Sequence, residues 1–419
     1  MAYEGIRVQL ESTGLEPKQS ETEVGILAGV RRFAEKMMRP VGRKLDELHD
    51  PNQVIAPDSP LWGMLGEFQG LGLTVEAIFS LPPEERGRIM SSAFEELGWG
   101  DGGLAIVLGA STVPWIVMHM MGRHDLLERY PENRVGCWGI TEPDHGSDIL
   151  DFGHQTAHPG SSYGKPNCIV RVDGDELVIT GQKAAWVSNG PIAQLCCLYA
   201  AFDDGSGQSQ QNAKQCVVLV PLDRPGVSRG KVLDKLGQRP LPQGEIFFDE
   251  VRVPADHLLA KPGAEYAQAI YGVLTEANSI MSSVWTGAAR AAYEHALDYA
   301  HTRRQGGVPI IQHQNVRYRL FHMFRKVEVA RAMSRRVMFY NHTMPIGALQ
   351  GSIAAKITGT QTAFEVASEA IQMFGGNGVS REYPVEKLLR DARASLIEDG
   401  CNEMLAIKGG SFLADPSRL

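Results

Sequence analysis

From about Glu21 to Tyr130 the apolar residues recur every three to four positions. In VGILAGVRRFAEKMMRPVGRKLDEL, Val24, Leu27, Val30, Phe33 and Met37 share one helical face. Pro40 lacks an N–H and crowds the preceding turn, so it is expected to end or bend that helix. The stretch IMSSAFEELGWGDGGLAIVLGASTVPWIVMHMMG is apolar on more than one face, which predicts helices buried within a bundle.

Near Gly136 the period changes to two. CIVRVDGDELVITGQ reads as a hairpin, with two alternating segments around a turn at Asp173-Gly174. QLCCLYAAF, QCVVLVPLD and GEIFFDEVRVP follow as further strands, and DDGSGQSQQNAK between them reads as a surface loop. After Pro254 the helical period returns. Leu320, Met323, Val327, Ala330 and Met333 form one stripe opposite Arg and Lys, and helices at about 263–303, 313–342, 347–374 and 382–397 suit an antiparallel four-helix bundle.

This pattern divides the chain into an N-terminal α-helical domain (1–135), a middle β-barrel or sandwich domain (136–255) and a C-terminal α-helical bundle domain (256–419). Helices, strands and helices in segregated blocks predict an α+β fold, not a doubly wound α/β sheet. GGNG at Gly375 to Gly378 follows no strand and lacks the GxGxxG spacing of a nicotinamide site.

Composition narrows the classes. A chain of 419 residues exceeds one ordinary core, and 43% hydrophobic with 21% charged residues is a globular balance. The formal charge of -8 comes with no cluster of Lys/Arg interleaved with aromatics, so no nucleic-acid partner is expected. Cys137, Cys168, Cys196, Cys197, Cys216 and Cys401 form no CxxC pair and no zinc spacing, which fits a reducing compartment and no metal. The start MAYEGIRVQLESTGLEP has neither an apolar core nor a basic amphipathic pattern, and no 18 apolar residues run together. A cytoplasmic protein without a membrane span is the expectation.

Four segments resemble the acyl-CoA dehydrogenase family in content, order and spacing: WGITEPDHGSD (138–148), AAWVSNG (184–190), RRQGGVPIIQHQ (303–314) and IQMFGGNGVSREYPVEKLLRDARASLIEDG (371–400). With KLGQRPLPQGEIFFDEVRVP, the likeness covers about residues 22–410. It implies the fold of that family and bound FAD. Trp138, Ile140, Thr141, Trp186 and Ser188 match positions lining the flavin ring, and Ser147 matches one near the pyrophosphate and pantetheine. Cys401 to Glu403 would approach the flavin. Arg303, Gln314, Gln372, Gly375 and Gly376 match positions offered to the FAD of a neighbouring subunit, implying a homotetramer built as a dimer of dimers.

The same resemblance implies oxidation of an acyl-CoA to its trans-2-enoyl-CoA, with an electron-transfer flavoprotein as acceptor. A weakly acidic thioester α-proton needs a carboxylate base and donors to the carbonyl oxygen, and the β-hydride passes to flavin N5. The family's glutamate base, where it lies on this segment, precedes the glycine. Here that place is Asp399, with Glu398 the alternative, and Ser147, Asn278 and Gly400 would be substrate contacts. Asn278 stands where many members carry an Arg that contacts the acyl-CoA, Gly306 stands where a Phe is usual, and the loop at 154–167 is long and polar. An Asp base and a Gly-Gly turn also resemble nitroalkane oxidase. A CoA-thioester lyase or a non-dehydrogenating subunit is the further alternative.

Overall fold

The computed structural model describes residues 18–151, 166–205 and 214–415. The start of the chain, nearly all of the polar loop at 154–167 and most of DDGSGQSQQNAK lie outside the described residues.

Helix α1 (Glu21–Phe33) opens on a capping box, in which Ser20 Oγ accepts from Glu23 N–H and Glu23 returns a carboxylate to Ser20 N–H. Pro40 does not end this helix: a π-helical turn at Ala34–Met38 carries the chain into α2 (Arg39–Asp46). The wider turn places Met38, fully buried, on the core face where the sequence period pointed to Met37. Val24, at the helix start, is 52% exposed.

The remaining N-terminal helices are α3 (Pro60–Gly70), α4 (Val75–Phe79), α5 (Pro83–Gly100), α6 (Gly102–Met120) and α7 (His124–Arg129). By length and composition α6 would cross a membrane, yet 61% of its apolar window is buried inside the protein. It lies between β1 and the long C-terminal helix α8, so its apolarity on several faces is used within this chain.

Among the described residues, eight strands form one mixed sheet: β1 (Gly136–Gly139), β2 (Ile169–Asp173), β3 (Glu176–Lys183), β4 (Leu195–Asp203), β5 (Lys214–Pro221), β6 (Val227–Arg229), β7 (Ile246–Pro254) and β8 (Leu258–Ala260). The order is β6-β7-β3-β2-β4-β5-β8. β1 and β2 share one edge of β4, both parallel to it. The hairpin turn falls at Gly174 and Asp175, because Asp173 pairs with Glu176, and Gly174 supplies the φ of +61° that such a turn needs.

β4 and β5 are buried on both faces, and their period-two alternation serves two cores. Cys196, Leu198, Ala200, Val218 and Val220 face the inner core of the sheet. Leu195, Cys197, Tyr199, Val217 and Leu219 face helices α6 and α8. This second interface joins sheet to bundle.

The C-terminal helices are α8 (Ala264–Thr302), α9 (Gln314–Thr343), α10 (Leu349–Phe374), α11 (Val385–Ser395) and α12 (Asn402–Ala414). α8 packs along α10 and α9 and against α5. At that crossing Glu95 of α5 is buried among three guanidinium groups, Arg290 (2.7 Å), Arg331 (2.9 Å) and Arg335 (2.9 Å).

Candidate active site

Two turns meet where sheet and bundle join. After α11 the chain turns through residues 396–401 before α12 begins, with Asp399 at φ +51° and Gly400 at φ +89°. A left-handed aspartate stores strain, and such residues persist where their surroundings fix them. At φ +89° Gly400 adopts backbone that other residues rarely take, and a Cβ there would stand 2.5 Å from Leu150 Cδ1. Ser147, just after β1, accepts from the Cys401 N–H at 3.0 Å and ties the turn to the β1 edge.

The two carboxyls of this turn differ in surroundings. Glu398 Oε1 accepts from Gln238 Nε2 at 2.8 Å. Gln238, itself left-handed at φ +51°, is held by Asp391 through both its backbone N–H and its side chain. The Asp399 carboxylate has no hydrogen bond or ion pair among the described residues. Burial pushes Asp399 up to about 6, and the nearby Lys356 charge opposes the rise. Burial and the Asp399 charge raise Glu398 as well. Of the two, Asp399 is the carboxyl left without a hydrogen-bonding partner among the described residues, and it is raised toward neutral pH.

Lys235 belongs to the segment leading to Gln243. Its ammonium donates to Leu241 O and Gln243 Oε1, both at 2.8 Å, and burial lowers it to about 7 against the pull of Glu398 and Asp391. Gln243 Nε2 in turn donates to Ser188 Oγ and to Trp186 O, each at 3.2 Å. Trp138 stands edge-on to Tyr199 with centroids 6.0 Å apart, and its indole N–H is buried without a partner. Thr141 O accepts from Ala184 N–H at 2.9 Å, which sets residues 138–141 beside 184–188. Trp186 is 59% exposed although it is a large aromatic on the joining face.

Beneath this wall Glu142 and Lys183 are fully buried and paired at 2.6 Å. Glu142 also accepts from the N–H groups of Asn167 and Cys168, and Lys183 donates to Ile140 O and Tyr199 O. The pair closes the gap where the chain leaves β1 and returns as β2.

Structure thus brings Trp138, Ile140, Thr141, Ser147, Trp186, Ser188, Glu398, Asp399, Gly400 and Cys401 to one region, with Glu403 exposed on the first turn of α12. Arg303, Gln314, Gln372, Gly375 and Gly376 form a separate, exposed group at the far end of the bundle. Stacking of Tyr299 on Phe374 (3.9 Å) and an Asn377 bond to Tyr299 Oη (3.0 Å) bring the ends of α8 and α10 together there. The neighbouring two-residue hairpin turn is Gly306-Gly307, both at positive φ (+62° and +81°), which accounts for glycine where a Phe was expected. Among the described residues no hydrogen bond joins this group to the first.

Asn278 is not open to either group. It is wholly buried in α8, with its Nδ2 donating to Leu274 O at 2.8 Å within its own helix. As placed, it offers no surface to a substrate. Sequence inspection passed over Gln238, Lys235, Gln243 and Lys356. For Lys356 a signal existed: it falls on the buried stripe of α10 with Ser352, Gly359, Thr360 and Ala363.

An unsatisfied indole donor, an exposed tryptophan and hydroxyls on the adjoining strands fit an aromatic, polar-edged cofactor. The description "Acyl-CoA dehydrogenase, middle domain" matches residues 137–251, and "Acyl-CoA dehydrogenase, C-terminal domain" matches residues 268–410. Rattus norvegicus short-chain specific acyl-CoA dehydrogenase is 29% identical over 396 residues, 92% of this chain and 88% of that protein. Benzylmalonyl-CoA dehydrogenase of Aromatoleum aromaticum is 30% identical over 295 residues, 69% of this chain and 72% of that protein. The butyryl-CoA dehydrogenase structure from Megasphaera elsdenii superposes with a TM-score of 0.79 at 25% identity, covering 95% of this chain and 100% of that one. The chain belongs to the acyl-CoA dehydrogenase family.

Proposed function

We propose that this FAD-dependent oxidoreductase of CH–CH groups removes the α-proton of an acyl-CoA thioester with Asp399 and yields the trans-2-enoyl-CoA. The observation that carries this reading is the Asp399 carboxylate, half-buried, without a hydrogen-bonding partner and raised to about 6 beside the Trp138–Ser188 wall. A free carboxylate in a water-poor cleft is the group that proton abstraction needs.

Trp138, Ile140, Thr141, Trp186 and Ser188 would hold the flavin ring, with Ser147 near the pyrophosphate. When bound, FAD supplies the acceptor for the β-hydride. Ser147 fixes the base turn through the Cys401 N–H, and Gly400 keeps the turn close against Leu150. Gln238 holds Glu398 to one side, so the two carboxyls do not compete for the same proton. The exposed set Arg303, Gln314, Gln372, Gly375 and Gly376 would serve the FAD of a second copy, which makes the active form a dimer of dimers. An electron-transfer flavoprotein would reoxidise the enzyme, and a cytoplasmic location completes the reading.

Asp is one methylene shorter than Glu, and this favours a more acidic carbon acid as a second reading, such as a nitroalkane. Anaerobic mixing with panels of acyl-CoA thioesters and nitroalkanes decides. Bleaching of the flavin by a thioester is expected; bleaching by nitroalkanes alone would overturn the thioester assignment.

A further inference from the structure

Lys356 is a fully buried lysine that the proton transfer itself does not use. It lies on α10, and its ammonium donates to Gly400 O and to Asn402 Oδ1, both at 2.8 Å. Asn402 continues the contact to Thr360 Oγ1 of the same helix at 3.1 Å. Burying a lone ammonium is expensive unless charge and hydrogen bonds answer it. Here the answering groups all belong to the base turn or to the start of α12: the Gly400 carbonyl, Asn402, and the charges of Asp399, Glu398 and Glu403, with the Cys401 thiol beside them.

We propose that Lys356 is a positioning residue for proton abstraction: it clamps Gly400 and Asn402 so that Asp399 is presented in its left-handed conformation as a carboxylate. This rests on Asp399 being the base. Two features make a clamp necessary. Asp399 at φ +51° would relax toward ordinary backbone if the next carbonyl were released. A carboxylate without hydrogen bonds in a half-buried cleft would also keep its proton unless a cation stood near.

Among the described residues, Lys356 is the cation whose charge lowers Asp399. Lys235 faces Glu398 and Asp391, and Lys408 donates to Leu150 O and is drawn by Asp151. Burial lowers Lys356, and the surrounding carboxylates sustain its charge.

The test uses the FAD-loaded protein and the variants Lys356→Met and Lys356→Gln. Two quantities are read: the pH profile of kcat/KM with an acyl-CoA, and the titration of the Asp399 carboxyl carbon by 13C NMR, which needs no turnover. Both the acid limb and the Asp399 titration should move to higher pH by about one unit, because the charge removed is the one that lowers Asp399. Asn402→Ala keeps the charge and should lower the rate without moving the limb.

An unmoved Asp399 titration in a folded Lys356 variant would overturn the proposal. So would failure of both Lys356 variants to fold, which would assign the residue to folding alone. The base assignment fails separately, if Asp399→Asn turns over normally, whatever Lys356 does to the titration.

Discussion

Glu95, buried, and Asp399, half-buried, are both carboxylates near the helix α8–α10 core, and they are treated in opposite ways. Burial alone would raise Glu95, but the charges of Arg331, Arg290 and Arg335 outweigh it and hold the carboxyl well below its usual range. Asp399 has one lysine at a distance and no hydrogen bond among the described residues, and it rises to about 6. A satisfied carboxylate fixes helices; an unsatisfied one is left able to take a proton. Glu142 and Lys183, side by side under the proposed flavin wall, belong to the first kind.

The largest expected effect comes from spoiling the satisfied member. Glu95→Gln leaves three arginines facing a neutral group, and a loss of about 3–5 kcal/mol in denaturant unfolding is expected. Because its folded value is depressed, the stability Glu95 contributes is present above the unfolded carboxylate value and lost as pH falls through the folded one. A loss under about 1 kcal/mol would erase the contrast between the two sites.

The unsatisfied member should respond in the other direction. Asp399 has a raised folded value, so ionising it costs the folded state, and its own contribution to stability falls as pH rises from about 4 toward 6. Asp399→Asn, at matched FAD content, should be more stable than wild type at neutral pH by about 1–3 kcal/mol, with no gain below pH about 4. A variant less stable than wild type at neutral pH would mean that Asp399 is a structural group.

In activity, the same rise predicts that kcat/KM increases with pH through a limb near 6, where Asp399 loses its proton. A limb near 4 would place the base in open water. The smallest effect is at Ser147. Removing its hydroxyl frees one backbone N–H of the base turn, and Ser147→Ala should raise the barrier by about 0.5–1.5 kcal/mol, measured as kcat/KM.

Much of this architecture was legible in the chain. The long helices α8, α9 and α10 fall within about three residues of their periodic signals, because their apolar stripes face one core and period alone specifies that. Strand alternation marked the hairpin, though the turn lies one residue later than its Asp-Gly dipeptide. Pro40 did not stop the helical run, because a π turn before it carries the chain on, a local solution that no period reveals. In the site, the aromatic and hydroxyl positions were recognisable as a set. Gln238 was not, since it acts through a contact across 160 residues of chain that only the fold creates, and Lys356 showed only as a place on the buried stripe of α10, its partner Gly400 lying 44 residues away. Asn278 is the opposite case: its alignment was clear, but the residue is wholly buried, with its Nδ2 donating within its own helix.

The central claim is that Asp399, not its neighbour Glu398, accepts the proton. Turnover of FAD-loaded Asp399→Asn and Glu398→Gln with the same acyl-CoA tests it most directly. Asp399→Asn should lose about 10²- to 10⁴-fold in kcat while Glu398→Gln keeps most of its activity. An active Asp399→Asn beside an inactive Glu398→Gln would contradict it.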